Sequence, residues 1–400
     1  MVSTSDITNK FNITRQTINN WINDGLLDKP KKNRKNSFIW TEDSLKTIEY
    51  LSQYKSIPKN QINTFSINNR RYLGSKFKVL NFIDEVVKNN TEGIETVADI
   101  FAGTGVVADL FRSQGKNIIV NDVLQSNYVS YLTWFGNEPV DYEKITNLIG
   151  YLNELKGYSG YVTKNYGDRY FTMNNAMKID AIREEIDKIE NINKREKCFL
   201  LTSLFYAADK VANTVGHYDA YRKKIDSFTL INLRIPKLNV NKNNLIYKED
   251  ANSLVKNIKA DLVYIDTPYN SRGYANAYHV LESLIEWNKV EVQGVARKPV
   301  DLSQKKSLYN SVKAPEAFVD LVENIDAKYI LVSYNNMARK GNSRSNAKIS
   351  NEEIIEVLKK KGSLDIFTTN HQPFSTGKSQ INDHKELLYL CKVKQNEKLY

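Results

Sequence analysis

An acid, a proline and an aromatic ring follow directly after a short apolar run near residue 265. The four residues are Asp266, Thr267, Pro268 and Tyr269. The run before them, 262–265, is apolar and partly β-branched, which predicts a buried parallel strand whose carboxyl end opens into a site. A carboxylate and a backbone carbonyl can accept hydrogen bonds from an amino group, and a tyrosine ring can stack on a flat ring. The residues thus suit the exocyclic amine of a base, although a strand and a tight turn explain the tetrapeptide alone equally well.

A second candidate site lies upstream, where an apolar run leads into Asp99, Phe101, Gly103 and Gly105. Apolar residues at helical spacing follow, so the segment predicts a strand, a glycine turn and a helix. This is the cofactor corner of a Rossmann-like sheet. The two glycines remove side chains that would block the close approach of a ligand.

Three further segments place polar groups beside predicted strands or helices. Tyr72, Gly74 and Lys76 precede an amphipathic helix, and Asp122 and Asp250 each follow an apolar run. Lys76 falls in the first helical turn, where the helix dipole disfavours a cation unless an anion or a polar ligand compensates. Gly74 can let the backbone pass close to such a ligand.

Taken in order, these segments resemble the D12 class of DNA adenine-N6 methylases over roughly residues 68 to 393. The tetrapeptide resembles the (D/N/S)PP(Y/F) motif of that family, and the glycine segment resembles the (D/E)xFxGxG form of enzymes that bind S-adenosylmethionine. No third glycine follows, so a dinucleotide is less expected. Thr267 departs from the pattern because the family usually has proline there.

The resemblance implies roles for the individual residues. The target adenine is flipped out of the duplex and donates its amino hydrogens to Asp266 and to the Thr267 carbonyl, while Pro268 fixes the turn and Tyr269 stacks on the base. Asp122 binds ribose hydroxyls and Asp250 the cofactor's adenine, and no metal is required. The full set expected around S-adenosylmethionine is Tyr72, Gly74, Lys76, Asp99, Phe101, Gly103, Gly105, Asp122 and Asp250.

Residues 1–55 predict a separate unit of short helices. Residues 5–6 can cap the first helix, Thr14 the second and 41–43 the third, with 38–40 as a strand between the second and third. This order resembles the winged helix-turn-helix of the MerR and excisionase type; a small packing or dimerisation module is the alternative. By that resemblance the residues facing DNA are Thr14, Arg15, Gln16, Thr17 and Asn20.

Residues 125–244 form an insertion without a strong sheet pattern. Helices are predicted over about 175–190 and 194–213, and aromatic rings alternate with cations that include Arg169, Arg222 and Lys223. Alternating cations and aromatic rings suit contact with phosphates and with bases. The segment also lies where the D12 class, which the chain resembles, has its target-recognition region. A helical cap that protects the sheet is the alternative.

The predicted organisation is therefore an α/β chain with a Rossmann-like S-adenosylmethionine-dependent methyltransferase sheet, a helical target-recognition insertion and an N-terminal winged helix-turn-helix. Residues 56–67 are expected to be a linker, and the catalytic domain is expected to comprise 68–124 and 245–400. Two late segments, 364–369 and 385–393, predict an antiparallel pair that closes the sheet.

Composition favours a polyanionic partner. The 57 Lys and Arg residues exceed the 46 Asp and Glu residues, giving a net charge of +11, although a Lys- and Asn-rich genome would have the same effect. Cys198 and Cys391 stand in apolar surroundings and are expected to be buried thiols. The four histidines lack metal-ligand spacing. No long apolar run or signal peptide is found, so a cytoplasmic protein without membrane contact is expected.

The function predicted from these features is methylation of adenine N6 in duplex DNA, as the modification enzyme of a restriction-modification system with a separate cognate endonuclease as a possible partner. Thr267 and the helix-turn-helix leave open an inactive, DNA-binding regulator. Methylation of RNA or of a protein glutamine is a third alternative, which the winged helix and the basic insertion disfavour.

Overall fold

The computed structural model describes residues 3–11, 13–23, 27, 29–32, 38–52, 64–239, 241, 243–268, 273–301, 307–335, 347–370 and 385–394. Its helices, α1 to α15, are Thr4–Lys10, Arg15–Asn23, Glu42–Ser52, Leu80–Asn90, Val106–Ser113, Gln125–Phe135, Tyr142–Glu154, Tyr161–Tyr166, Met173–Lys188, Lys194–Val211, Ala251–Leu254, Tyr274–Ala277, His279–Glu286, Ala314–Asn324 and Asn351–Lys361. Its strands, β1 to β11, are Thr64–Phe65, Thr96–Asp99, Asn117–Asn121, Ile235–Pro236, Leu245–Tyr247, Lys259–Ile265, Val292–Gln293, Lys298–Pro299, Asp326–Asn335, Gly362–Asn370 and Lys385–Val393. Short 3-10 helices cover Lys76–Val79 and Leu308–Asn310.

A seven-stranded, mostly parallel sheet forms the centre of the chain. Its strands lie in the order β10, β11, β9, β6, β2, β3 and β5. The pairs from β9 to β5 are parallel, whereas β11 is antiparallel to both of its neighbours. This mixed α/β architecture is consistent with a Rossmann-like methyltransferase sheet, and the predicted antiparallel closing pair is confirmed.

Helices cover both faces of the sheet, which explains why its central strands are apolar throughout. Side chains alternate along β6: Leu262 and Tyr264 join the core beneath α4–α10 and α13. Val263 and Ile265 face the opposite way and pack with α11, α14 and α15. The predicted buried strand before Asp266 is therefore confirmed.

The chain reverses its direction of travel across the sheet at β2. From β2 it proceeds to β3 and β5 on one side, and it then returns to place β6 on the other side. The carboxyl ends of β2 and β6 consequently flank a topological switch point, where open α/β sheets bind their ligands. The glycine turn follows β2, and Asp266 follows β6.

The N-terminal helices α1–α3 share a small apolar core of their own, with Ile7, Ile18 and Ile48 nearly inaccessible. Thr14 and Thr41 cap α2 and α3 as predicted, because their hydroxyls accept from the backbone amides of the third residue on.

Two expectations for this unit are wrong. Ser3, rather than residues 5–6, caps α1, because Ser3 and Asp6 form a reciprocal capping box. Segment 38–40 forms no strand within the described residues; Phe38 makes one bridge to Lys32. Trp40 is instead buried in the helical core, and its indole nitrogen donates to the Thr4 hydroxyl.

The insertion is mainly helical, and α9 and α10 confirm the two predicted helices to within a few residues. The expected linker 56–67 needs correction at its end. Phe65 and Ile67 are buried in the main core, and β1 pairs in parallel with β4. The catalytic fold therefore begins at or before Thr64.

Both cysteines are free and buried, as predicted, and burial raises the pKa of Cys198 to about 12 and that of Cys391 to about 11. Among the described helices, none is both long and apolar enough to cross a membrane.

Candidate active site

A cavity of about 380 Å³ opens at the carboxyl ends of β2, β3 and β6. It gathers residues that are far apart in the sequence, because parallel strands all end at the same edge of the sheet. The predicted site residues that line it are Tyr72, Gly74, Lys76, Asp99, Phe101, Gly103, Asp122, Asp250, Asp266 and Pro268.

Three predicted residues do not line this cavity or cannot be placed. Gly105 has a left-handed φ of +81°, but an added Cβ there would meet the core side chains of Ile67, Tyr131 and Phe135. Its missing side chain therefore makes room for the core. Thr267 is buried, with 1% of its surface exposed. Tyr269 lies outside the described residues.

Gly103 forms the floor of the cavity. Its φ is +54°, and an added Cβ would lie 3.0 Å from Cε1 of Tyr72. Its amide donates to Oδ2 of Asp122 at 3.0 Å, while the Leu124 amide donates to Oδ1 at 2.8 Å. Asp122 thus connects the turn after β2 to the end of β3. Burial raises the pKa of Asp122 to about 6, although these hydrogen bonds oppose the shift.

Asp99 is a buried carboxylate at the end of β2. It is 1% exposed, and neither of its oxygens accepts a hydrogen bond of ordinary geometry from the described residues. Burial and then the neighbouring Asp266 raise the pKa of Asp99 well above its usual value, while the Ala108 amide opposes them. A polar or cationic ligand would relieve this burial.

Tyr72 and Tyr274 line one wall of the cavity, and the buried Tyr278 packs with them. The ring of Tyr72 stacks on Tyr278 at 4.6 Å and on Tyr274 at 5.3 Å, with interplanar angles of 5° and 10°. The Leu73 amide donates to the Tyr278 hydroxyl at 2.7 Å, and the Tyr274 hydroxyl donates to the Leu73 carbonyl at 3.2 Å. Helices α12 and α13, which follow Asp266 in the chain, therefore hold the segment around Tyr72.

Lys76 is paired with two carboxylates. Its Nζ lies 3.0 Å from Oδ1 of Asp266 and 2.9 Å from Oε1 of Glu386. Burial raises the pKa of Asp266 to about 7; Lys76 opposes this shift and Glu386 adds to it. The anions that compensate Lys76 in the first helical turn are thus side chains of the protein itself.

The far end of the cavity is aromatic and polar. Asp250 caps α11 by accepting from the Ser253 amide at 3.1 Å, and it also lines the cavity. Phe101 and Tyr309 meet edge to face, with ring centroids 5.0 Å apart. The Tyr309 hydroxyl donates to the Asn252 side chain at 2.8 Å. This end suits a flat heterocycle with an amino group.

Sequence reasoning missed the contributions of Tyr309 and Glu386. Tyr309 stands in a short polar segment without any motif. Glu386 is visible in the sequence as an acid at the start of the last apolar strand. Its pairing with Lys76 could not be inferred from one sequence.

The model of the D12 class N6 adenine-specific DNA methyltransferases matches residues 72–345, more than half of the chain and the part that forms the cavity. This chain belongs to that family. The family assignment made from the sequence is therefore confirmed, and N6-adenine methylation of DNA is the activity of the class.

Named relatives of this D12 chain are modification enzymes. It is 35% identical to the modification methylase StsI of Streptococcus sanguinis over 344 residues, covering 80% of this chain and 51% of that protein. It is 30% identical to the type II methyltransferase M.NlaIII of Neisseria lactamica, covering 78% of this chain and 95% of the relative. M.CviAII of Paramecium bursaria Chlorella virus 1 is 30% identical, and the match covers 82% of this chain and 100% of that protein.

These relatives differ in length. The chain spans about half the length of StsI and of LlaI from Lactococcus lactis subsp. lactis. It matches M.NlaIII and M.CviAII over nearly their whole length.

The three cations of the insertion that are expected to contact DNA do not line the cavity. Arg222 pairs with Asp226 at 2.8 Å, and Lys223 is exposed. Arg169 borders an open depression together with Lys164 and Tyr221. Tyr166, Tyr170 and Phe171 of the insertion are fully buried in the main core, so these three rings are not available to DNA.

Helix α2 presents polar side chains. Arg15 and Gln16 are exposed, and Arg15 donates to the Ser5 hydroxyl at 2.9 Å. The hydroxyls of Thr14 and Thr17 bond to each other at 2.8 Å. The side chain of Asn20 lies outside the described part of the chain.

Proposed function

We propose that this protein transfers a methyl group from S-adenosylmethionine to N6 of a flipped adenine in duplex DNA, as the modification enzyme of a restriction-modification system. The observation that carries the proposal is the position of Asp266. Its carboxylate and the glycine turn after β2 face one cavity at the switch point of the sheet. A methyl acceptor and a methyl donor could meet there.

The cavity residues fit S-adenosylmethionine. Gly103 leaves space that a Cβ would fill, and the unbonded Asp99 carboxylate suits a ligand with positive charge. Asp122 is placed for ribose hydroxyls, and Asp250 with Phe101 and Tyr309 for the adenine ring. When bound, S-adenosylmethionine supplies an activated methyl group.

Asp266 would orient the acceptor nitrogen. Its carboxylate and the Thr267 carbonyl accept hydrogen bonds from the amino group, which directs the nitrogen lone pair away from the base ring. Tyr269 stacks on the base. The amine becomes acidic as its nitrogen attacks, so Oδ of Asp266, with a pKa of about 7, can take the proton that leaves.

Lys76 keeps the Asp266 carboxylate in place. Asp266 is 16% exposed in its side chain and Lys76 7%, so their attraction is little screened by water. Alignment and fixed charges would then supply most of the rate.

We further propose that the DNA duplex is contacted by two additional surfaces. One is the insertion, with Arg169, Arg222 and Lys223, as a target-recognition region over 125–244. The other is the N-terminal unit, as a winged helix-turn-helix that uses the exposed face of α2. The net charge of +11 supports both assignments, and the alternation of cations with aromatic rings in the insertion supports the first. A cognate endonuclease would act separately.

The proposal is tested by tritiated methyl transfer from S-adenosylmethionine to unmethylated duplex DNA, with digestion of the product to nucleosides. We expect label in N6-methyladenine with the natural chain and none with Asp266→Ala. RNA and protein substrates assayed in parallel test the other acceptors. Tight DNA binding without any transfer would support the regulator instead.

A further inference from the structure

We propose that Glu386 is a positioning residue for methyl transfer: it draws Lys76 away from exclusive pairing with Asp266 and thereby tunes the catalytic carboxylate from the far end of the chain. The inference rests on the proposed function and names a residue with no assigned role in it.

The geometry is that of a shared cation. Lys76 Nζ lies 3.0 Å from Asp266 and 2.9 Å from Glu386, so neither carboxylate holds it alone. Glu386 is itself fixed, because the Ser333 hydroxyl donates to the same oxygen, Oε1, that contacts Lys76. All three charged side chains are at least 84% buried. Buried charges in this arrangement interact strongly.

The sheet register brings these groups together. Ile265 lies beside Val332 in the parallel pair β6–β9, so the residues that follow them, Asp266 and Ser333, are at the same level. Strand β11 runs the opposite way and begins where β9 ends, with Glu386 beside Asn335. The start of an antiparallel strand thus reaches the edge at which the parallel strands present their catalytic residues.

Among the described residues, two charged side chains act on Asp266. Lys76 stabilises its ionised form, whereas Glu386 from β11 repels it. Asp99 from β2 faces Asp266 as well, and Asp266 raises the pKa of Asp99 after burial. Tyr264 from β6 also lies nearby, and it is Asp266 that raises the pKa of its hydroxyl, after burial. Glu386 both adds negative charge and occupies Lys76, so its two effects on Asp266 have the same sign. Both increase the affinity of Asp266 for a proton, which suits a group that accepts one near neutral pH.

The test compares Glu386→Gln with the natural chain over a range of pH. We expect the acid limb of single-turnover methyl transfer to move about one pH unit lower. The rate above that limb should fall by at most about tenfold, because a less basic carboxylate is a poorer proton acceptor. Calorimetric affinity for S-adenosylmethionine should stay within a factor of about two, as Glu386 does not line the cavity.

The matched control is Glu356→Gln, which removes a carboxylate from an exposed pair with Lys360 on α15. It should leave the limb and the rate unchanged. An acid limb that stays in place or moves higher in Glu386→Gln would overturn the proposal, because a merely structural role lowers the rate without shifting the limb toward acid.

A second readout does not depend on activity. Carbon-13 NMR of labelled aspartate carboxylates, with Asp266→Asn identifying the signal, follows the titration of Asp266 itself. Glu386→Gln should lower its midpoint. Ser333→Ala should raise it, because Glu386 loses a hydrogen-bond donor and its charge is less neutralised.

These opposite directions keep the test decisive even if one variant folds poorly. Unchanged midpoints in both variants would refute the coupling. If the natural chain shows no methyl transfer while the midpoints move as expected, the coupling stands and the proposed function fails.

Discussion

At the scale of single residues, the site is defined by carboxylates that the fold holds in a partly dehydrated cavity. Asp99, Asp122 and Asp266 all have raised pKa values, and in each case burial is the largest cause. Lys76 compensates only part of this charge. Buried carboxylates lower the free energy of unfolding of the chain, but they suit a cationic ligand. Functional sites often trade stability for activity in this way.

Asp266→Asn should therefore stabilise the folded chain at high pH. The pKa of Asp266 is about 7 in the fold, above the ordinary value of 3.8. Ionisation between these values opposes folding, and the penalty is fully present above pH 7 and absent below about pH 4. We expect the melting temperature at pH 8 to rise by roughly 2–6 °C.

Calorimetric unfolding at pH 8 and at pH 4 checks this sign. The gain should vanish at pH 4, and the exposed control Asp365→Asn should give no gain at either pH. A variant that is less stable at pH 8 would show that the burial of Asp266 is fully compensated by its partners.

Gly103→Ala should weaken binding of S-adenosylmethionine. The left-handed φ of +54° strains any side chain, and the new methyl group would press on Tyr72 at 3.0 Å. Gly115 is a matched control, since its φ is +79° but an added methyl group would meet nothing within 4 Å. Both variants should lose about 1–2 kcal/mol of stability from backbone strain.

Only Gly103→Ala should also lose affinity, by about tenfold or more, as measured by calorimetry. Equal affinities in the two variants would place the ligand away from the glycine turn.

At the scale of elements, the helices after Asp266 connect the two halves of the site. Tyr274 and Tyr278 bond to the backbone of Leu73 and stack on Tyr72, so α12 and α13 set the position of a segment some 200 residues earlier. The turn after β6 that contains Asp266 and the segment around Tyr72 should therefore move together.

Tyr278→Phe tests this connection. The Leu73 amide would lose its partner at 2.7 Å, which should cost about 1–3 kcal/mol of stability because the amide is left unsatisfied. Affinity for S-adenosylmethionine should fall about three- to tenfold as Tyr72 loosens. Tyr151→Phe is the control, because its hydroxyl pairs with Glu185 on an exposed surface. Unaltered affinity in Tyr278→Phe would show that stacking alone positions Tyr72.

The elements were largely predictable from the sequence because their signals are local. Apolar runs at 97–100 and 262–265 give β2 and β6, and hydroxyl caps at Thr14 and Thr41 give helix starts. The aromatic and β-branched residues at 38–40 predict a strand, but Trp40 is buried in the helical core. Local propensity there yields to packing.

Relations between distant residues were not predictable in the same way. Lys76, Asp266 and Glu386 meet only because β6, β9 and β11 are neighbours in a particular register. The space beside Gly105 was unpredictable for a similar reason: core side chains occupy it, and a glycine pattern does not show which neighbour does so.

At the scale of the whole molecule, a D12 methyltransferase sheet is joined to an insertion and to an N-terminal unit with its own core. The catalytic cavity and the helix α2 belong to separate hydrophobic clusters. Catalysis and the proposed N-terminal contact with DNA should therefore be separable by substitution.

The double variant Arg15→Ala and Gln16→Ala should weaken duplex binding about tenfold and leave affinity for S-adenosylmethionine unchanged, since both side chains are exposed on α2. Lys10→Ala on α1 is the control for loss of one charge. Binding measured over a salt series should show a reduced salt slope in the double variant if Arg15 contacts phosphate. Equal affinities of the double variant and the control would favour a packing or dimerisation role for the N-terminal unit.

We propose that Asp266 orients an adenine amino group for methyl transfer in the cavity beside the glycine turn. The most direct measurement is single-turnover transfer of tritiated methyl to duplex DNA by the natural chain and by Asp266→Asn, each shown first to bind S-adenosylmethionine. We predict N6-methyladenine from the natural chain and a rate at least about a hundredfold lower from the variant with its cofactor affinity retained. Transfer at an undiminished rate by Asp266→Asn, or label in any other nucleoside, would contradict the claim.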